Sequence, residues 1–72
     1  MTEQEVAELD YETALTELER TVQQLGREQA DLAESVRAFE LGLALARRCA
    51  ALLDQAEQRL KALAPSERPA GS

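Results

Sequence analysis

Glu17, Glu28, Glu34 and Glu40 are the first residues to weigh for chemistry, as general acids or bases. That work needs a carboxyl group whose proton affinity is moved toward neutral pH by burial or a close charge. The chain has no histidine, and these four fall at polar positions without a surrounding cluster, so solvation and i,i+4 pairing is their expected use. Cys49 is the only thiol. A nucleophilic thiol needs a base to take its proton, and none is near in sequence. Cys49 lies between Ala46 and Leu53 on an apolar stripe, where it is expected to act as a small hydrophobe. Closed zinc sites are built from several Cys and His ligands, so neither metal nor cofactor is expected. Arg47, Arg48, Arg59 and Lys61 make the one basic cluster. Cations suit phosphate, but no aromatic residue stands among them to stack a base. They also fall late in a helix, where cations complement the dipole or pair with Glu40, Asp54 and Glu57. No catalytic residue is expected.

The chain as a whole says why. It has 72 residues, enough for one domain, and a domain this short buries only about 60% of its unfolded surface. A single cysteine rules out an internal disulfide, so association is the expected source of extra stability. The apolar share of 44% is mostly Leu and Ala, with Tyr11 and Phe39 the only aromatics and Val6, Val22 and Val36 the only β-branched apolar residues. Ala, Leu, Glu, Gln and Arg favour helix, whereas strands favour the residues that are scarce here. The fold class is expected to be all-α. Net charge is −6: residues 1–34 hold ten acids and two bases, residues 35–72 four acids and six bases. A net acidic chain is poorly suited to grip nucleic acid unaided. No basic segment leads into an apolar stretch at the N-terminus, and no apolar run approaches membrane-spanning length, so a soluble, cytoplasmic protein with no membrane contact is expected.

Three segments are expected along the chain: a flexible acidic N-terminus at 1–9, a helical hairpin at 10–64 and a disordered tail at 65–72. Asp10 can cap a first helix running to about Leu25. Tyr11, Leu15, Leu18, Val22 and Leu25 recur at spacings of 4, 3, 4 and 3, a heptad seam expected to lie against the second helix. Gly26 is placed for a left-handed helix end. Asp31 and Glu34 have capping-box spacing, and Pro65 stops the helix they begin. So short a connection makes the two helices antiparallel neighbours.

The second helix is about twice the length of the first, so its later half has no cover within the chain. Its seam of Leu32, Ser35, Phe39, Gly42, Ala46, Cys49, Leu53, Ala56, Leu60 and Leu63 is flanked by Val36, Leu43 and Ala50 on one side and Leu45 and Leu52 on the other. One apolar stripe of about 100° suffices for a surface helix, and this helix carries more. The small residues Gly42, Ala46, Cys49 and Ala56 suggest a close approach by another helix. Val36, Phe39, Leu43, Ala46, Cys49, Leu53 and Leu60 are therefore expected to bind a partner. Antiparallel packing with a long second helix, and coiled-coil-like association into a dimer or higher oligomer, is the expected architecture.

The residues also resemble a family. Tyr11-Glu12-Thr13-Ala14-Leu15-Thr16-Glu17-Leu18-Glu19 is similar to the opening of exodeoxyribonuclease VII small subunits, an aromatic-Glu-x-Ala-Leu-x-x-Leu-Glu pattern. Leu32-Ala33-Glu34-Ser35-Val36-Arg37-Ala38-Phe39-Glu40-Leu41-Gly42 resembles that family's second-helix signature, and Leu45, Cys49, Leu53 and Gln55-Ala56-Glu57-Gln58-Arg59 continue it. The connection departs from the pattern: Leu25-Gly26-Arg27-Glu28-Gln29-Ala30 puts the glycine two residues early and Ala30 where a Leu is usual. The resemblance implies a non-catalytic small subunit that assembles in several copies on the helical region of a large subunit. That large subunit hydrolyses single-stranded DNA to oligonucleotides, so this chain would meet DNA only through it. The alternative from a different class is a stand-alone coiled-coil adaptor or regulatory protein unrelated to DNA.

Overall fold

The computed structural model describes residues 1–27 and 31–63. They form α1 (Glu3–Ala7), α2 (Tyr11–Leu25) and α3 (Leu32–Leu63), with no strand among the described residues. The fold is all-α, an antiparallel hairpin of α2 and α3 in which α3 is the long arm. The expected tail at 65–72, its Pro65 stop and the departure at Ala30 lie outside the described residues.

Residues 1–9, expected to be flexible, carry α1. Thr2 and Glu5 form a reciprocal capping box: the Glu5 backbone N–H donates to Thr2 Oγ1 at 3.2 Å, and the Thr2 N–H donates to Glu5 Oε1 at 2.7 Å. Capping alone does not hold five residues in a helix. The tertiary contact that does is Val6, which is buried as α1 packs on α3. The signal lay in Thr2-Glu3-Gln4-Glu5, a capping-box spacing just ahead of an apolar residue.

Both long helices start as their sequences predict. Asp10 caps α2 by accepting from the Thr13 N–H at 2.9 Å, and Asp31 accepts from the Glu34 N–H at 2.7 Å at the head of α3. The end of α2 differs from expectation. Gly26 is right-handed (φ −80°, ψ −4°), and its N–H is shared between the Val22 and Gln23 carbonyls at 3.2 and 3.1 Å. The last turn tightens instead of reversing hand, so this glycine's freedom to go left-handed is not used.

The core is small and sits where α1, α2 and α3 meet. Ala14 and Leu45 are fully buried, with Val6, Thr21 and Cys49 nearly so. Thr21 is the only buried polar residue in that set, and its hydroxyl donates to the Glu17 carbonyl one turn back at 2.7 Å. The hydroxyl is thereby satisfied inside its own helix, leaving the methyl group free to pack.

Candidate functional site

The α2–α3 contact is made by small residues. A Cβ placed on Gly42 would stand 3.5 Å from Thr21 Cγ2, ordinary van der Waals contact. The close approach expected at Gly42 is thus made by α2 of the same chain. Ala14, Leu45 and Cys49 are buried along the same contact.

That choice turns the seams. On α2 the stripe facing α3 is Ala14, Leu18 and Thr21; of the expected seam of Tyr11, Leu15, Leu18, Val22 and Leu25, only Leu18 belongs to it, and the other four are exposed. Tyr11, Leu15 and Val22 lie about 60–100° further round the helix, at 100° per residue, and are exposed. On α3 the seam and its two flanks read from sequence divide differently, and Ala38 joins the buried side. Ala38, Gly42, Leu45, Cys49 and Leu52 turn inward, whereas Val36, Phe39, Leu43, Ala46, Ala50, Leu53 and Leu60 stay outside. The physical reason is close packing: the small residues let the two helices approach around Leu45, and Tyr11, Leu15, Phe39 and Leu43 are left at the rim.

The two displaced stripes open on one side. Each lies past its buried stripe in the same rotational sense, and in an antiparallel pair equal senses fall on the same side. Phe39 is 56% exposed, Leu53 50% and Leu60 65%. The opposite side is taken by α1, whose Glu3, Val6 and Ala7 line a cleft with Ala44, Arg47 and Arg48. The hairpin therefore has one covered side and one bare apolar side. Beyond Leu52 every described residue of α3 is exposed, so the bare stripe runs off the hairpin onto an overhang.

Of the residues expected to bind a partner, Val36, Phe39, Leu43, Ala46, Leu53 and Leu60 share this bare stripe. Cys49 does not. It is buried beside Leu45 inside the chain, because its phase on α3 is that of Gly42 and Leu45. Tyr11, Leu15 and Val22 belong to the open side and were missed. Their signal was Ala14 and Thr21, small residues seven apart that match Gly42 and Cys49, also seven apart.

The charged groups serve the fold. Arg48 Nε donates to the Leu9 carbonyl at 2.9 Å, which removes it from the basic cluster. Arg20 pairs with Glu17 at 3.5 Å, on the surface. Among the described residues the two perturbed carboxyls both serve helix N-termini, Asp10 as the cap of α2 and Glu5 as the third-residue partner in the capping box of α1. Backbone and side-chain hydrogen bonds from Thr2 hold Glu5 below its ordinary value, and hydrogen bonds from Thr13 do the same for Asp10. A lowered carboxyl is a better anion and a poorer proton carrier. Among the described residues no three His, Cys, Asp or Glu gather as a metal site would require, and no helix is long and apolar enough to cross a membrane. What the arrangement offers is surface: a long apolar stripe with charged edges.

Comparison with known proteins matches residues 11–62 to the family described as Exonuclease VII small subunit. Among curated relatives, the exodeoxyribonuclease 7 small subunit of Legionella pneumophila is 46% identical over 55 residues, covering 76% of this chain and 72% of the relative. That of Pseudomonas paraeruginosa is 47% identical over 55 residues, covering 76% and 69%. That of a Ruegeria species is 44% identical over 62 residues, covering 86% and 76%. No solved structure matches the chain. The matched span takes in α2 and nearly all of α3, and leaves α1 outside.

Proposed function

Because the chain belongs to the exonuclease VII small-subunit family, we propose that its open face docks the catalytic large subunit of a cytoplasmic nuclease that degrades single-stranded DNA to oligonucleotides. In this reading the chain is non-catalytic: it covers and stabilises helices of the large subunit, and it meets DNA only through that subunit. The carrying observation is the bare stripe of Val36, Phe39, Leu43, Ala46, Leu53 and Leu60. An apolar surface of this length invites another helix, since monomeric proteins seldom leave so much exposed. Helix-in-groove docking uses this periodicity, with anchors at i, i+3, i+4 and i+7.

Co-expression with the large subunit from the same host, followed by mass measurement of the purified complex, tests the reading. A complex containing both chains, lost on Leu53→Glu, is the expected result. Recovery of this chain alone, or an unchanged complex with Leu53→Glu, overturns it.

A further inference from the structure

The edge of the bare stripe carries a pattern that selects its cover. Glu40, Arg47, Asp54 and Lys61 follow one another at seven-residue intervals along α3, between the bare stripe and α1, each next to a seam residue and each exposed, with Glu40 and Arg47 also bordering the clefts beside α1. Their charges alternate: minus, plus, minus, plus. Read from the other end the row is its own complement, since Glu40 with Lys61 and Arg47 with Asp54 share a midpoint between Ala50 and Ala51. Such flanking charges set partner and orientation when helices pair.

We propose that in the free protein a second copy of this chain covers the face, with the two α3 helices antiparallel about a two-fold axis near Ala50. The inference rests on the reading of the open stripe as a docking face. In this register Arg47 meets Asp54 of the second copy and Glu40 meets its Lys61, and symmetry repeats each pair. Within the seam Leu43 packs on Leu60 of the second copy and Ala50 on its Leu53. A two-fold contact is self-complementary and closes at two chains.

The overhang completes the fit. Leu53–Leu63 projects beyond α2 by about 16 Å, and the groove beside α2 is about 22 Å long at about 1.5 Å per residue. Each overhang enters the other copy's groove, against Leu15 and Val22. The outer wall of that groove carries Glu12 and Glu19, and the overhang turns Arg59 toward it.

The alternatives are disfavoured by the same charges. A slip of one heptad sets Arg47 against Arg47 of the second copy and Glu40 against its Asp54. Parallel pairing sets the charged row against Gly42, Cys49 and Ala56, which are uncharged, and the first two already face α2. Assembly on the large subunit then exchanges one apolar cover for another.

Sedimentation velocity on the full chain tests this, with circular dichroism confirming that each variant stays helical. The unaltered protein is expected as a two-chain species at micromolar concentration. Arg47→Glu puts like charges together twice and should weaken self-pairing roughly tenfold. Arg47→Glu combined with Asp54→Arg restores opposite charges and should return it to within about threefold. A monomeric unaltered protein, or a double variant as weak as the single one, overturns the proposal. Capture of the large subunit is measured alongside: capture without the charge-swap pattern removes this pairing and leaves the proposed function standing, and the pattern without capture does the reverse.

Discussion

Arg48 joins the two ends of the fold: its Nε donates to the carbonyl of Leu9, thirty-nine residues earlier, at 2.9 Å. The bond fixes the turn between α1 and α2 onto the middle of α3 and so keeps Val6 in the core. Its effect reaches the site indirectly, because α1 closes the side of the hairpin opposite the bare stripe.

Arg48→Leu should therefore cost about 1–2 kcal/mol, the scale of a part-buried hydrogen bond from a charged donor. The loss should centre on residues 1–9, seen as faster amide exchange or proteolysis there, while large-subunit capture persists. Loss of capture with α1 still protected would show that Arg48 acts at the docking face.

Gly42→Ala is expected to stabilise the chain by up to about 1 kcal/mol. Alanine is the better helix former by about that much, and the added Cβ meets Thr21 Cγ2 at an unstrained 3.5 Å. Gly42→Leu should part the helices and lower the thermal midpoint. Thermal unfolding followed by circular dichroism distinguishes the two.

Phe39 and Leu53 separate folding from docking. Both are at least half exposed, so Phe39→Ala should cost well under the roughly 3–5 kcal/mol of a buried phenylalanine, and Leu53→Glu about 0.5 kcal/mol. Both should nonetheless abolish large-subunit capture. Leu45→Ala should do the opposite, costing about 2–5 kcal/mol in the free chain because Leu45 is fully buried. Equal thermal losses for all three would mean that the bare stripe is packed within the chain.

The caps set an acid limit. Asp10 titrates below its ordinary value because the Thr13 hydrogen bonds favour its charged form. Its contribution is present above the unfolded-state value and is lost as pH falls through the depressed folded-state value. Helicity should decline over that acidic window. Asp10→Asn, which still caps but does not titrate, should remove part of the decline in a circular dichroism titration. An identical titration curve would show that the cap is not formed in solution.

Composition and punctuation were enough to determine the two long helices, α2 and α3. Leu, Ala and Glu with only three β-branched apolar residues favoured helix throughout, Asp10 and Asp31 marked two starts, and Gly26 marked an end. Tertiary structure alone decided which apolar residues are inside. Periodicity places Ala14 and Leu15, or Gly42 and Leu43, on neighbouring stripes and does not rank them. Contact does: Thr21 fits onto Gly42, the helices close on their smallest residues, and the larger Tyr11, Leu15, Phe39 and Leu43 are turned out together. The same holds for α1, since the value of Val6 depends on α3 being there to receive it. A side chain's own hydrophobicity is a local property, but the side it faces depends on how near two helices can come.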